Sequence, residues 1–237
     1  MGAIYRRAQY TIAWLGEEHS GSGTVIDWIE TLCSQSSDQS NNTSRMKSRK
    51  KTYSIDPKQL ASLDTPIWEW EPFSQFLARE YWRRVWITQE LALSQDVVIL
   101  CGSRQSIWTK FEGVLKAVSE YPATKRGTPM DTKQSSDFNQ LQKLQHFCAD
   151  AKSDKLVHFF TALARTQDSL ATEVRDKIFA ILGLTYNGSA FVAVPNYRQN
   201  IQELCLEITT SAISRSGSLD TIALVELLGR PCGWNKK

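Results

Sequence analysis

The sequence predicts a helix-rich, mixed α/β fold in which a short central sheet is surrounded by helices. Apolar residues recur at helical spacing over most of the 237 residues. Two short apolar runs, at residues 10–15 and 96–101, have the length and composition of strands. Hydrophobic residues make up 41% of the chain and charged residues 22%, which is ordinary usage for a globular protein with a core.

The first part of the chain alternates helix and strand. The end of a helix is predicted over residues 3–8, and the buried strand that follows ends at Gly16. A second helix is predicted over residues 24–33, where four apolar residues share one face: Val25, Trp28, Ile29 and Leu32. Residues 34–54 are rich in serine and asparagine and end in basic residues. Such a segment buries too little apolar area to offset its ordering entropy, so a mobile insertion is predicted, with a nuclear-localisation or polyanion-binding role for the basic residues as the less favoured alternative.

The densest pattern lies at residues 79–94, REYWRRVWITQELALS, which are predicted to form one helix after a helix over residues 73–81. The face that it buries is predicted to hold Trp82, Val85, Trp86, Gln89 and Leu93. Gln89 falls on this apolar face and Glu90 lies beside it, where a polar group needs either a partner or a ligand. The local pattern leaves that choice open.

The second half of the chain is predicted to be mainly helical. The strand at 96–101 turns at Gly102 and Ser103 and returns as a hairpin through residues 105–107. Thr109 and Glu112 have the spacing of a capping box for the next helix, in which four apolar residues recur at helical spacing: Phe111, Val114, Leu115 and Val118. Residues 122–134 are predicted to be a polar linker. Further helices are predicted near 135–150, 154–165 (capped by Asp154), 173–184 and 199–214, and residues 219–228 are predicted to be either strand or helix.

Composition argues against several classes of function. The net charge of +3 is too small to indicate a nucleic-acid surface. No apolar run reaches the ~18 residues of a membrane span, and no secretory signal is present, so a cytoplasmic protein is predicted. The five cysteines are scattered and contain no C-x-x-C pair, which favours reduced thiols. His146 and Cys148 point apart on a helix, and neither a metal site nor a glycine-rich phosphate loop is predicted.

Three segments together resemble the fungal heterokaryon-incompatibility (HET) domain family. YRRAQYTIAWLGEE is similar to the family block I-Y-x-x-A-x-x-V-x-W-L-G. FLAREYWRRVWITQELALSQDVVILCG is similar to the block that contains W-x-x-Q-E and the following strand with C-G. ATEVRDKIFAILGL, followed by VPNYRQNIQEL, is similar to R-D-K-I-F-A-L-L-G-L and its P-D-Y segment, with Asn196 in place of the acid. Two blocks that normally open the domain, L-S-Y-x-W-G and W-I-D-x-I-C-I-N-Q, have no counterpart here.

The resemblance implies an N-terminally truncated HET domain over residues 1–228, followed by a tail at 229–237. It implies a domain of non-self recognition that triggers programmed cell death through association with protein partners or with itself. The positions that carry it are Trp14, Gly16, Arg83, Trp86, Gln89, Arg175 and Asp176. Of these, Arg175 or Asp176 is expected to hold Glu90 or Arg83 through a polar contact.

Two alternatives accompany this interpretation. The family resembles Toll/interleukin-receptor-like domains, some of which cleave NAD with a glutamate, so Glu90 is the candidate catalytic residue of an NAD-directed hydrolase. The favoured interpretation of Glu90 is instead an ion pair with Arg79 or Arg83, since charged residues at the border of a core are usually paired, and no cofactor is then expected. The second alternative is an inactive, truncated paralogue.

Overall fold

The computed structural model describes residues 2–19, 21–37, 53–61, 71–121, 135–153 and 155–217. Its helices are α1 (Gly2–Arg7), α2 (Ser22–Ser37), α3 (Pro57–Ala61), α4 (Glu71–Leu77), α5 (Glu80–Arg83), α6 (Ile87–Leu93), α7 (Trp108–Glu120), α8 (Ser136–Lys152), α9 (Phe159–Thr166), α10 (Asp176–Phe179) and α11 (Ile201–Ser216). Its strands are β1 (Thr11–Trp14), β2 (Val97–Cys101) and β3 (Arg104–Ile107). The helix-rich, mixed α/β fold class is confirmed.

Several predicted features lie outside the described residues. They are the linker at 122–134, the apolar segment at 219–228, the tail at 229–237, the cap Asp154, and residues 38–52 of the insertion. The insertion was predicted to begin at residue 34, but α2 continues to Ser37. Its first four residues are therefore helical.

Contacts within the chain define two compact units. The sheet unit comprises Arg7–Trp82 and Ser94–Gln145, and the helical unit comprises Met1–Arg6, Arg83–Leu93 and His146–Lys237. A single partial domain over residues 1–228 stays a prediction.

The sheet unit contains a three-stranded sheet in the order β1-β2-β3. β1 and β2 are parallel, and β2 and β3 form the predicted antiparallel hairpin. Parallel neighbours need a long crossover, which residues 15–96 supply. One face of the sheet is buried through Ala13, Ile99 and Cys101, and α2 packs against β2, β3, α4 and α7. The predicted apolar faces of α2 and α7 are confirmed as core.

Trp82 is the centre of an aromatic cluster in the sheet unit. Its ring lies 5.5 Å from Phe111, 5.9 Å from Trp108 and 6.1 Å from Phe76, measured between ring centroids. Its indole nitrogen donates a 2.9 Å hydrogen bond to the Phe76 carbonyl, so the polar end of this buried side chain is satisfied. The prediction that Trp82 is a core residue is confirmed.

Residues 79–94 do not form the one helix that was predicted. α5 ends at Arg83, and α6 begins at Ile87. Between them the Val85 amide donates a 2.9 Å hydrogen bond to Leu170, and the Leu170 amide donates one of 2.6 Å to the Arg83 carbonyl. These backbone groups pair with a distant segment, so they cannot continue the helical ladder. Trp86 and Leu93, both predicted to lie on the buried face, are half-buried.

Three other local predictions need correction. α7 begins at Trp108 with Ile107 at its N-cap, so Thr109 lies inside the first turn and forms no capping box. Residues 173–184 form the short α10 and then a 3₁₀ turn at Leu182–Leu184 rather than one helix. Helix α9 begins at Phe159, later than predicted, and His158 is its N-cap residue. The final helix does have a capping box, between Asn200 and Glu203.

The helical unit is built around α6, α9, α10 and the turns that follow α10. α9 packs on α10, and α6 packs on the Leu182–Leu184 turn. Phe159, Phe160 and Phe191 form a second aromatic cluster, with ring centroids 5.0–5.3 Å apart. None of the helices in the described ranges combines the length and the apolar character that crossing a bilayer demands.

Candidate functional site

Three sequence blocks that are far apart in the chain meet in the helical unit. Tyr5 donates a hydrogen bond to Glu90 at 3.4 Å, across 85 positions. Arg6 donates one of 3.0 Å to the Gly183 carbonyl, across 177 positions. Gln89 donates one of 2.7 Å to the Ala180 carbonyl. We call these six residues the signature cluster: Tyr5, Arg6, Gln89, Glu90, Ala180 and Gly183.

Gln89 is the most buried polar side chain of the signature cluster, with 3% of its surface exposed. Its amide nitrogen is satisfied by Ala180, but its amide oxygen is buried with no hydrogen-bond partner among the described residues. A side chain added at Gly2 would lie 3.4 Å from this oxygen, and one added at Gly183 would lie 3.5 Å from the nitrogen. Gln89 therefore lies against two glycines, Gly2 of α1 and Gly183 of the third block.

Glu90 is half-buried and accepts a hydrogen bond from the Tyr5 phenol. Burial raises the pKa of Tyr5, and the negative charge and hydrogen bond of Glu90 raise it further. Tyr5 therefore stays neutral and keeps donating over the physiological range. The predicted ion pair between Glu90 and Arg79 or Arg83 is wrong. Arg83 is exposed and forms no ion pair with the described part of the chain, and Arg79 is engaged elsewhere.

Arg79 is a buried arginine of the sheet unit, 7% exposed, and it organises the turn after β1. Its guanidinium donates to the carbonyls of Leu15 at 2.6 Å and Glu17 at 3.0 Å, and to the Ser22 hydroxyl at 2.8 Å. Gly16 lies between the two carbonyls with φ of 95°, a conformation that favours glycine. The sequence pattern singled out Gly16, but it did not indicate that the Arg79 guanidinium donates hydrogen bonds to the carbonyls on either side of it.

Arg175 and Asp176 hold the segment before α11 against α10. Arg175 forms a two-point contact with Glu173, at 2.8 and 2.7 Å, and donates to the carbonyls of Tyr197 and Gln199. The Tyr197 hydroxyl donates a 2.7 Å hydrogen bond to Asp176. We call these five residues the Arg175 clamp. The hypothesis that Arg175 or Asp176 holds Glu90 or Arg83 is wrong, because their polar contacts go to this clamp instead.

The electrostatics of the Arg175 clamp follow from these contacts. The Arg175 guanidinium lowers the pKa of Glu173 to about 2. Burial, together with the hydrogen bond to Asp176, raises the pKa of Tyr197 to about 12. Asn196 accepts a 2.9 Å hydrogen bond from the Arg198 amide.

The outer face of β1 is apolar and exposed. Tyr10, Ile12 and Trp14 are 56, 50 and 46% exposed, and their alternate positions place them on one side of the strand. Ile12 lies beside Val98, and Trp14 beside Leu100, both of which are half-buried. We call these five residues the exposed sheet face. The expectation that this strand is buried is therefore wrong for one of its two sides, and Trp14 is a surface residue.

The remaining predicted residues have simple environments. His146 is exposed and Cys148 is buried, so the two do not lie on the same side of α8. Sequence reasoning missed Tyr5, Glu173 and Tyr197 as polar partners. All three lie inside the segments quoted above, but tyrosine and glutamate are too common for their presence there to indicate a polar contact.

Comparison with known proteins supports the resemblance over the first part of the chain. The family model described as Heterokaryon incompatibility protein (HET) matches residues 1–90. This range contains the first block, the exposed strand β1 and the Gln89-Glu90 pair. The resemblance to the heterokaryon-incompatibility family is thereby confirmed for that range. No curated protein and no solved structure matches the chain.

Proposed function

We propose that this protein is a signalling domain of the heterokaryon-incompatibility type, which acts inside the cell by associating with another protein domain. In this role it takes part in non-self recognition and triggers cell death, and it needs no cofactor. The family match over residues 1–90 supports the class. The observation that carries the mechanism is the exposed sheet face.

An exposed apolar strand at the edge of a sheet is a surface suited to association. Soluble monomers rarely leave contiguous apolar patches uncovered, and an edge strand also presents backbone groups that can pair with another strand. Within the described ranges β1 pairs on one side only, with β2. Tyr10, Ile12 and Trp14 add three large side chains to that edge.

The partner that we propose for this face is a second copy of the chain. Antiparallel pairing of two β1 strands about Ile12 places Tyr10 of one copy opposite Trp14 of the other, twice, by symmetry. Cross-strand pairs of aromatic residues stabilise a sheet by up to about 1 kcal/mol each. The pairing therefore brings Tyr10 and Trp14 of the two copies into contact and gives the outward-facing backbone groups of β1 hydrogen-bond partners.

A charge-insertion experiment tests the proposal. The variant Ile12→Lys/Trp14→Lys puts two like charges on the exposed face, and Leu206→Lys places one on α11, where Leu206 is also exposed. Sedimentation velocity should show a concentration-dependent dimer for the wild type and Leu206→Lys, and a monomer for the double variant. When expressed in cells, the wild type and Leu206→Lys should be toxic, and the double variant should not.

Other outcomes separate the alternatives. A wild-type monomer that is toxic and binds a different protein through the same face would replace self-association with a hetero-partner. A well-folded wild type with neither association nor toxicity would contradict the proposal and favour an inactive paralogue. Equal behaviour of the double variant and Leu206→Lys would exclude the exposed sheet face as the interface.

One observation supports the NAD-directed alternative, namely the orientation of the Glu90 carboxylate by the Tyr5 phenol. NAD would then be a substrate, with Glu90 stabilising or deprotonating its ribose. Release of nicotinamide from NAD, measured by chromatography, tests this for the wild type, Glu90→Gln and the exposed control Glu80→Gln. Release by the wild type and by Glu80→Gln, but not by Glu90→Gln, would establish the enzyme. If none of the three proteins released nicotinamide, the NAD-directed alternative would be excluded.

A further inference from the structure

The helical unit contains a pocket that none of the sequence blocks points to. Its volume is about 290 Å³, and it lies between the start of α9, the 3₁₀ turn at Gly188–Ala190 and the end of α11. Its apolar lining comes from Phe160, Ala190, Phe191 and Ala212. The rings of Phe160 and Phe191 meet edge to face with centroids 5.0 Å apart, so this part of the lining is aromatic.

The polar lining of the pocket carries positive charge. It consists of His158, Asn187, Arg215 and Ser216, and no acidic residue is among the described residues that line the pocket. The Arg215 guanidinium lies 6.0 Å from the centroid of the Phe191 ring. Within the described part of the chain Arg215 has no carboxylate at ion-pair distance. Its charge and its donors are therefore available to a ligand.

The start of α9 adds to the preference for an anion. His158 occupies the N-cap position and makes no capping hydrogen bond with its side chain, while the Phe159 amide donates to Asn187 at 2.9 Å. The positive end of the α9 dipole thus lies at the pocket. The carboxyl end of α11 carries a partial negative charge from its helix dipole, and the positive charge of Arg215 in the last turn offsets it. The Gly217 amide also caps this end by donating a hydrogen bond to the Ile213 carbonyl.

We infer that this pocket binds a small aromatic carboxylate. The ring of the ligand packs against Phe160 and Phe191, and its carboxylate accepts two hydrogen bonds from the Arg215 guanidinium. Small-molecule pockets usually span about 300–1,000 Å³, so a pocket at the lower end of that range suits a ligand of one or two rings. The inference goes beyond the proposed function, since it does not use the exposed sheet face.

Titration of the full chain with 2-naphthoate tests the inference. Calorimetry should give saturable binding by the wild type, and NMR should place the largest shifts at the His158 ring and the Ser216 amide. Arg215→Gln should weaken binding by roughly 10- to 100-fold, because a charge-assisted hydrogen-bond pair is lost. Arg198→Gln removes the same charge from an exposed site outside the pocket and should change affinity less than twofold.

Two further measurements keep the outcome unambiguous. The neutral isostere naphthalene-2-carboxamide should bind the wild type at least about 10-fold more weakly than 2-naphthoate, and it should not distinguish the wild type from Arg215→Gln. Ala190→Phe fills the pocket and should abolish binding while Arg215 remains. Naphthoate binding that is undetectable, equal for Arg215→Gln and the wild type, equal to that of the carboxamide, or insensitive to Ala190→Phe would overturn the inference.

Discussion

The side-chain amide of Gln89 donates a 2.7 Å hydrogen bond to the backbone carbonyl of Ala180, 91 residues further along the chain. This bond joins the second sequence block to the third, and it is made inside the helical unit by a side chain that is almost fully buried. Only half of the amide is satisfied, because its oxygen has no partner among the described residues. The second block alone offers no partner for a buried glutamine. The third block supplies one, the Ala180 carbonyl.

Gln89 variants should show whether this bond stabilises the helical unit. Gln89→Leu leaves the Ala180 carbonyl unpaired but also removes the unsatisfied oxygen, so we expect a loss of about 1 kcal/mol in the free energy of unfolding. Gln89→Glu places a carboxylate against that carbonyl, with an expected loss of about 3 kcal/mol or more. Urea denaturation followed by circular dichroism measures both losses.

Gln145 provides the control for the Gln89 experiment. It also donates to a backbone carbonyl, that of Glu112 at 2.8 Å, but it is only half-buried. Gln145→Glu should therefore be better tolerated than Gln89→Glu. If Gln89→Glu were as stable as Gln89→Leu, the donor role of the Gln89 amide would be refuted.

The elements that sequence predicted well are those whose pattern is local. The buried faces of α2 and α7 follow from apolar residues at helical spacing, and the β2–β3 hairpin follows from an apolar run that ends at the Gly102–Ser103 turn. The break in residues 79–94 could not be predicted, because its cause is the backbone of Leu170. No local spacing contains that information.

The residues of the candidate sites also differ in whether the sequence alone could indicate them. Gln89 and Glu90 could be selected from sequence, since polar residues on an apolar face need partners. Their partners, Ala180 and Tyr5, could not, because each is brought close only by the fold. The aromatic pocket was missed entirely: His158, Phe191 and Arg215 come from separate segments with no common motif.

Gly16, in the turn after β1, should tolerate a side chain less well than Gly217 at the end of α11. Its φ of 95° costs an alanine about 1–2 kcal/mol, and the new methyl group would lie 3.3 Å from the Arg79 guanidinium. Gly217, with φ of 66° and no atom within 4 Å of an added side chain, carries the conformational cost alone. Thermal unfolding should thus show a larger loss for Gly16→Ala than for Gly217→Ala. Equal losses would mean that the contact with Arg79 is unimportant.

The contact between Glu173 and Arg175 should make stability depend on pH in the acid range. The pKa of Glu173 is lowered to about 2 in the folded protein, from an ordinary value near 4.5. A depressed pKa contributes stability above the unfolded value, and this contribution is lost as pH falls from about 4.5 through about 2. The difference in melting temperature between the wild type and Glu173→Gln should be largest above pH 4.5 and shrink below it. A difference that stays constant down to pH 2 would contradict the assignment.

Tyr197 should ionise at a higher pH than an ordinary tyrosine, and Asp176 should account for only part of this rise in its pKa. Burial is the largest cause of its raised pKa of about 12, followed by the hydrogen bond and charge of Asp176. Asp176→Asn retains an acceptor oxygen but removes the charge, so the midpoint should fall below 12 and remain above the ordinary value near 10. Absorbance at 295 nm, taken as the difference from Tyr197→Phe, gives the midpoint. Since a raised pKa stabilises the fold below the unfolded value, this contribution should be complete below about pH 10 and disappear as pH rises through 12. A midpoint of 10 in Asp176→Asn would show that burial is not the main cause, and an unchanged midpoint would show that the carboxylate charge plays no part.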